Sequence, residues 1–353
     1  MKKLVIALGI VIVVGAGVLF LMNSGGTTTP AGTTLTPMQL PVTIGLVKYI
    51  PPLEANFQGF KTGLQELGYV EGRDVIYKED IANGSIDKLH EISKNFISQG
   101  VGIIYAFPVE AAVAAYQETV AAGRTDIPIV MGGSNKPENF GLVKSYQSSG
   151  TNVTGIAIDL TNVTAKKLEF LRQLLPNAKK VGIIIEKEPN LAAGLVLGEF
   201  QKHASGLGFE TVRYDLDAAA PGPEATAKLQ TLLGGIKPGD IDAMFQVPGT
   251  IVTLPQNVPI IGQASVRLKA PIVALAETTS GGFSALTYNF DLPATGKQAA
   301  AIVDKVIKGV KPTDIPIEYP GKNILTINTK YAQSLGITVP QSLLGIADKI
   351  ISQ

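Results

Sequence analysis

The residues of this chain that could do chemistry are mainly carboxylates and aromatic rings that follow short apolar runs. Glu277 is the leading candidate, because a carboxylate enclosed in a cleft needs a cation, and the ammonium group of a ligand would supply it. Glu110 could lie near the same cleft or stay solvated at its rim, and a pair of these carboxylates could in principle do acid–base work. The rings of Tyr49 and Phe107 could stack on a flat ligand or simply anchor their own loops.

Further candidates come from the places where the chain leaves a predicted strand. Ligands of open α/β sheets bind beyond the carboxyl ends of the strands, where helix N-termini offer free N–H groups. Hydroxyl and amide groups there could donate to a carboxylate, although such residues also cap helices, and aspartates there often hold hinges. The remaining predicted ligand-binding positions are Pro51, Ser134, Asn135, Asp159, Thr161, Glu186, Asn190, Thr250, Thr278, Asn289 and Asp291.

No catalytic motif accompanies these residues. The sequence contains no Walker loop, no Gly-x-Gly-x-x-Gly after a strand, no His-Glu-x-x-His and no Gly-x-Ser-x-Gly. It has no cysteine, which excludes disulfides and a thiol nucleophile, and its histidines, His90 and His203, lie in polar helical stretches. We therefore predict binding without catalysis, with no catalytic residues, no metal and no cofactor.

Composition limits the kind of partner. The chain has 353 residues, which suits two domains, and 45% of them are hydrophobic, enough for sizeable cores. Thirty lysines and arginines balance 29 acidic residues, and no basic run follows the pattern of a nucleic-acid-binding surface. Nucleic acid is therefore not an expected partner.

The elements that must position the candidates begin with a strand, a helix and a second strand. The run from Val42 to Val47 is too short for a helix and rich in β-branched residues, which indicates a buried strand. Apolar residues then recur at steps of three and four and share one helical face: Phe57, Phe60, Leu64 and Leu67. Val75 to Tyr77 is a second strand, so the unit is βαβ and its strands are parallel.

The same pattern returns from Val181 to Tyr214, which predicts two similar α/β lobes with a cleft between them. Strands alternate with helices in both halves, as in a doubly wound parallel sheet. We expect lobe 1 to comprise residues 42–155 and about 278–311, and lobe 2 to comprise about 156–277 and 312–353.

The N-terminus predicts a location. Lys2 and Lys3 precede an uncharged apolar run from Leu4 to Met22 that is long enough to span a bilayer. An uncleaved transmembrane anchor is favoured over a removed signal, and the lysines place the rest of the chain outside the cytoplasm. Residues 23–41, rich in Thr, Gly and Pro, are expected to form a flexible linker.

A family resemblance covers essentially all of the chain from Val42 onward. It rests on segments that occur in a fixed order: Ile44 to Pro51, Gly59-Phe60, Leu67 to Gly72, Gly141 to Val143, Asn152 to Gly155, Leu174 to Lys179 and Leu335 to Pro340. Together they resemble the ABC transporter substrate-binding proteins of the type I periplasmic-binding fold, and in particular relatives of the tryptophan- and tyrosine-binding members.

This resemblance implies two Rossmann-like lobes joined by three hinge strands that close on a small solute. The implied partners are a small polar or amino-acid-like ligand, an ABC permease with its ATPase, and the membrane through the N-terminal helix, with the protein acting as a monomer. A ligand-sensing ectodomain for a membrane signalling partner is the alternative, and an enzyme is the less favoured one. The loop from Phe107 to Glu110, the segment from Glu186 to Asn190 and Glu277 depart from the usual family pattern.

Overall fold

The computed structural model describes residues 36–188 and 191–352, and it contains two separate sheets. The first sheet is formed by β1 (Val42–Lys48), β2 (Val75–Ile81), β3 (Ile103–Phe107), β4 (Ile129–Asn135) and β5 (Val153–Ile158). The second is formed by β6 (Lys180–Glu186), β7 (Glu210–Leu216), β8 (Ala243–Phe245), β9 (Ile272–Ala274), β10 (Leu286–Phe290), β11 (Asn323–Asn328) and β12 (Lys349–Ile351).

Both sheets are essentially parallel. The first has the spatial order β2-β1-β3-β4-β5, and the second has the order β12-β11-β10-β9-β8-β6-β7, in which β10 and β11 pair antiparallel. The central strands β1, β3 and β4 are buried almost throughout, as expected of a sheet covered by helices on both faces. The predicted α/β fold with two lobes is therefore confirmed.

Helices cover the faces of the sheets. They are α1 (Glu54–Glu66), α2 (Ile86–Ser98), α3 (Val109–Ala121), α4 (Leu160–Leu174), α5 (Leu191–Gly206), α6 (Pro223–Gly235), α7 (Val258–Leu268), α8 (Leu292–Ile307), α9 (Thr329–Ser334) and α10 (Gln341–Leu344). At several helices a side chain just before the first turn caps the N-terminus by accepting a backbone N–H. Ser85 accepts the N–H of Lys88 at 3.2 Å for α2, and Asn328 accepts that of Tyr331 at 2.9 Å for α9.

Helices α1 and α8 pack closely on lobe 1 because glycines let their backbones approach. A Cβ atom on Gly296 would lie 2.0 Å from the carbonyl oxygen of Asn56, so no side chain fits at this crossing. Asn56 in turn donates to the carbonyl oxygen of Gly132 at 3.0 Å and accepts the hydroxyl of Tyr105 at 2.5 Å. This contact attaches a C-terminal helix to the N-terminal lobe.

The chain crosses between the lobes three times within the described residues: after Ile158, after Phe290, and between Glu318 and Asn323. The predicted return to lobe 1 at about residue 278 was wrong, because β10 pairs with β9 and β11 in the second sheet. The predicted return to lobe 2 at residue 312 was also early. The N–H of Ile317 donates to the carbonyl oxygen of Tyr146 at 2.8 Å, and Glu318 bonds to β5.

The first described residues do not behave as the predicted linker. The N–H of Met38 donates to the carbonyl oxygen of Ile307 at 2.7 Å, and the Met38 side chain packs against the core. Residues 36–41 therefore belong to lobe 1, and the rest of the linker predicted for 23–41 lies outside the described residues. The predicted anchor, residues 1–22, lies outside the described residues, and no helix within the described ranges is long and apolar enough to cross a bilayer.

Candidate functional site

A cavity of about 120 Å³ lies between the lobes, where strands of both sheets end. This is several times the roughly 10–15 Å³ that a cavity needs to hold a single water, so the cavity has space for a small organic solute. Its walls are mainly apolar and come from both lobes and from two of the crossings. The aliphatic part of the lining is formed by Ile50, Leu53, Ile158, Leu160, Leu275 and Leu292.

Aromatic rings form one side of the cavity. Phe107 ends β3, is 2% exposed, and lies with its ring centroid 6.3 Å from that of Phe57 and 6.4 Å from that of Phe290. The contact with Phe290 is edge-to-face, at 81°. Phe107 is thus anchored in its own lobe and also lines the cavity, so the two roles considered for it do not exclude each other.

Glu110 is the carboxylate that lines the cavity. It lies in the first turn of α3 in lobe 1, is 3% exposed, and accepts the N–H of Leu191 at the start of α5 in lobe 2 at 3.1 Å. Burial raises the pKa of Glu110, while bonds from its own N–H and from those of Leu191 and Ala192 oppose that rise. A carboxylate of one lobe therefore caps a helix of the other.

Tyr49 and Thr250 form a second contact across the cleft. Tyr49 follows β1, lines the cavity, and its hydroxyl lies 3.0 Å from Oγ1 of Thr250 in lobe 2. Burial raises the pKa of Tyr49 to about 12, partly offset by the bond to Thr250. Tyr49 therefore remains a neutral phenol, and its hydroxyl can donate or accept across the cleft.

Glu186 supports this contact from within lobe 2. It ends β6, is 6% exposed, and its carboxylate accepts the N–H groups of Thr250, Ile251 and Val252 at 3.0, 2.7 and 3.0 Å. Burial raises its pKa and these three bonds oppose the rise. Both carboxylate oxygens of Glu186 accept backbone N–H groups, and Glu186 does not line the cavity.

Three amide and hydroxyl residues of the predicted set lie at the ends of β4 and β10. Asn289 lines the cavity and donates to the carbonyl oxygen of Leu275 at 2.8 Å. Asn135 accepts the N–H of Leu160 at 3.1 Å, but its Nδ2 and the Oγ of Ser134 are buried without a hydrogen-bond partner among the described residues. Buried donors without a partner are uncommon in folded proteins, because most buried polar groups are hydrogen-bonded.

Other predicted residues act as caps near the cleft. Asp159 accepts the N–H groups of Thr161 and Asn162 at 3.1 and 3.2 Å and so begins α4. Asp291 accepts the N–H of Ala294 at 2.8 Å and begins α8. Pro51 is exposed at the start of a short 3₁₀ turn. None of the predicted residues in this group lines the cavity.

Glu277 does not lie where it was expected. Its carboxylate pairs with the ammonium of Lys349 at 2.8 and 2.9 Å, and it lines a separate small cavity beside β10 and β11. Its cation is therefore supplied by the protein, and Glu110 and Glu277 are not brought together. Asn190 and the side chain of Thr278 lie outside the described residues.

Some residues of the site were not predicted. Phe290 and Leu275 line the cavity, and their position just at or after short apolar runs was the available signal. Lys167 does not line the cavity, but it is a buried lysine of lobe 2 that the sequence did not signal. It lies on α4 and is 1% exposed, with its ammonium 5.9 Å from the ring centroid of Phe245, and burial lowers its pKa to about 7.

Two lobes, three crossings and a cavity between them are the arrangement expected of a protein that binds a small solute. The sequence matches the family model described as ABC transporter substrate binding protein over residues 44–351. The chain belongs to this family, as the resemblance of its segments implied. It is a substrate-binding protein of ABC transporters and not an enzyme.

One curated relative and two solved structures are similar to this chain. The chain is 25% identical over 285 residues to a tyrosine-binding protein of Clostridioides difficile, covering 81% of this chain and 77% of the relative. It is similar in fold to the ABC domain from Streptococcus pneumonia in complex with L-Trp, with a TM-score of 0.75, 23% identity, and coverage of 88% and 99%. A ligand-free, open substrate-binding protein from Clostridium difficile gives a TM-score of 0.64 at 20% identity, with coverage of 88% and 100%.

Proposed function

We propose that this protein works outside the cytoplasm, where it encloses a small polar or amino-acid-like solute between its lobes. It delivers the solute to an ABC permease, which works with its own ATPase. The observation that carries the proposal is the mainly apolar cavity, which is lined by residues of both lobes and includes Glu110. The names of two relatives, a tyrosine-binding protein and a protein in complex with L-Trp, support a ligand of this kind.

Within the predicted set of residues, we assign the ligand contacts to those that line the cavity. Phe107 and Tyr49 contact the apolar body of the ligand, Glu110 contacts a positively charged group, and Asn289 contributes a polar edge. Ser134 and Asn135, with their unpaired donors, lie behind this surface at the end of β4. Thr250 acts by closing the cleft against Tyr49.

The finer features of location and assembly are part of the same proposal. Residues 1–22 anchor the chain in the cell membrane, the segment that follows acts as a tether, and the protein works as a monomer. The apolar run from Leu4 to Met22, flanked by Lys2 and Lys3, supports the anchor and its orientation.

The test is a thermal-shift panel on the full chain in detergent. Amino acids, amines, sugars and nucleosides are added singly, and mass spectrometry identifies any solute retained on the purified protein. A ligand at about 100 times its Kd stabilises the folded state by about 2.7 kcal/mol, which gives a clear shift. No stabilisation by any compound, together with no retained solute, would contradict the proposal.

A further inference from the structure

Backbone N–H groups that could bind a ligand anion are already occupied around the cavity. Helices α4 and α8 begin at its wall, and each is capped by its own aspartate, Asp159 and Asp291. The loop that lines the cavity after β8 directs its N–H groups at residues 250–252 to Glu186. Helix N-termini and clustered N–H groups are the usual partners of carboxylates, so three such places are closed to a ligand.

The remaining helix starts at the cavity offer an anion fewer N–H groups. At α5 the N–H of Leu191 is held by Glu110, which also accepts the N–H at its own position in α3. The turn before α1 begins with Pro51 and Pro52, which have no N–H to offer. Among the described helices that start at this cavity, α4, α5 and α8 are therefore capped by a carboxylate, whereas α1 and α3 follow prolines and have no side-chain cap.

Cationic side chains are not available in compensation. No lysine, arginine or histidine occurs among the described residues that line the cavity. Lys48, near the end of β1, is paired with Glu54 at 2.9 Å and Glu79 at 2.5 Å, and Lys136 lies 3.5 Å from Asp159. Lys167 is buried against Phe245 in lobe 2 and does not reach the lining.

From this arrangement we infer that the cleft selects a ligand with an ammonium group and an apolar, ring-sized body, and that it does not recognise a ligand carboxylate. Glu110 is the specificity-determining residue. Its carboxylate attracts the ammonium and repels an anion, and by capping α5 it occupies the place that a ligand carboxylate would take. The inference rests on the proposed function and narrows its ligand from amino acids to the corresponding amines.

The unpaired donors of lobe 1 are consistent with this preference. The Oγ of Ser134 and the Nδ2 of Asn135 are neutral, and neither residue lines the cavity, so they supply no positive charge to a ligand carboxylate. Enclosing a carboxylate beside Glu110 would bring like charges together in a poorly solvated site.

Three probes with the same ring separate the possibilities: phenethylamine, L-phenylalanine and 3-phenylpropionate, measured by calorimetry on the full chain. We expect phenethylamine to bind at least about tenfold more tightly than L-phenylalanine, and 3-phenylpropionate to bind more weakly than both. A ratio below tenfold, a ratio that favours the amino acid, or no binding by any of the three overturns the inference. The proposed function is tested separately, by the thermal-shift panel and the search for a retained solute.

Variants assign the selectivity to Glu110. Glu110→Gln keeps an oxygen acceptor for the N–H of Leu191 but removes the charge, so we expect phenethylamine to bind at least about tenfold more weakly. The matched control is Glu188→Gln, an exposed glutamate of lobe 2 that does not line the cavity, which should leave binding unchanged. Equal losses in both variants, or none in Glu110→Gln, contradict the role of Glu110. If Glu110→Gln fails to fold, the ranking of the three probes on the unmodified chain decides.

Discussion

Two buried glutamates lie beside the cleft, and they differ in what they hold together. Glu186 accepts three N–H groups of a loop in its own lobe, whereas Glu110 accepts an N–H from the opposite lobe. Both are almost fully buried, and burial raises the pKa of each. The chemistry is the same, a carboxylate bound to backbone donors, but the consequences are expected to differ.

The difference lies in which motion breaks the bonds. The bonds of Glu186 break only when lobe 2 unfolds, so they contribute to the free energy of unfolding. The bond of Glu110 breaks whenever the lobes separate, because its donor belongs to the other lobe. Separation also exposes both groups to water, which replaces the lost bond at little cost. Glu186 is therefore structural, and Glu110 is free to serve ligand recognition.

The largest expected effect is the loss of stability in Glu186→Ala. Three buried N–H groups lose their acceptor at once, and each unsatisfied donor costs about 1–3 kcal/mol, so we expect the free energy of unfolding to fall by about 4 kcal/mol. Urea denaturation measures it, with Glu188→Ala as the exposed control, which should change by less than about 0.5 kcal/mol. A loss below about 1 kcal/mol would remove the structural role of Glu186.

Lys167, a buried lysine without oxygen partners, should lower the stability of the fold, whereas Glu186 raises it. The ammonium of Lys167 has no hydrogen-bonding or charged partner among the described residues, and burial lowers its pKa from 10.5 to about 7. Between these two pH values the unfolded chain holds the proton and the folded chain does not. Stability should therefore rise with pH by about 1 kcal/mol per unit through this window.

The variant Lys167→Met tests this contribution directly. It should abolish the rise with pH and stabilise the protein at neutral pH by about 3 kcal/mol, since the apolar side chain needs no desolvation of charge. Urea denaturation at several pH values between neutrality and about pH 10 measures both effects. Lys202→Met, at an exposed lysine of α5, is the control. Destabilisation by Lys167→Met would show that the ammonium has a favourable partner.

A smaller effect on stability is expected for Glu110→Gln. The amide oxygen still accepts the N–H of Leu191, and the free energy of unfolding should change by less than about 1 kcal/mol. Under the same conditions, Glu110→Gln should lower the free energy of unfolding clearly less than Glu186→Gln does. Equal losses would mean that both carboxylates serve the fold alone and would erase the difference between them.

An effect of similar small size should come from Tyr49→Phe. This change removes one hydroxyl that bonds to Thr250 across the cleft, and we expect a loss of about 0.5–1 kcal/mol in the free energy of unfolding. Tyr116→Phe, at a half-buried tyrosine of lobe 1 that does not line the cleft cavity, is the control. A loss of several kcal/mol in Tyr49→Phe would indicate that the lobes unfold as one unit and do not separate first.

The sequence predicted the local elements well, and the physical reason is visible in the residues concerned. Phe57, Phe60 and Leu64 share a helical face and are fully buried in α1, as their spacing predicted. The run from Val42 is a buried parallel strand, as its β-branched content predicted. Such patterns follow from the periods of helix and strand, which act within a few residues.

The candidate site was predicted only in part. Tyr49, Phe107 and Asn289 were selected because they follow strands, and they do line the cavity. Glu277 was selected by the same rule, but Lys349, which is distant in the sequence, neutralises it. Nothing in the segment around Glu277 signals that β12 would bring this lysine to its side.

The amino-acid sequence by itself determined the alternation of strands and helices and the repeat that makes two lobes, because these depend on short-range pattern and residue type. Tertiary structure decided which carboxylate faces the cavity, where the chain crosses between lobes, and which charges are already paired. Those features depend on contacts such as Glu110 with Leu191, between residues far apart in the chain, and the energy of a buried charge is set by whatever surrounds it in space.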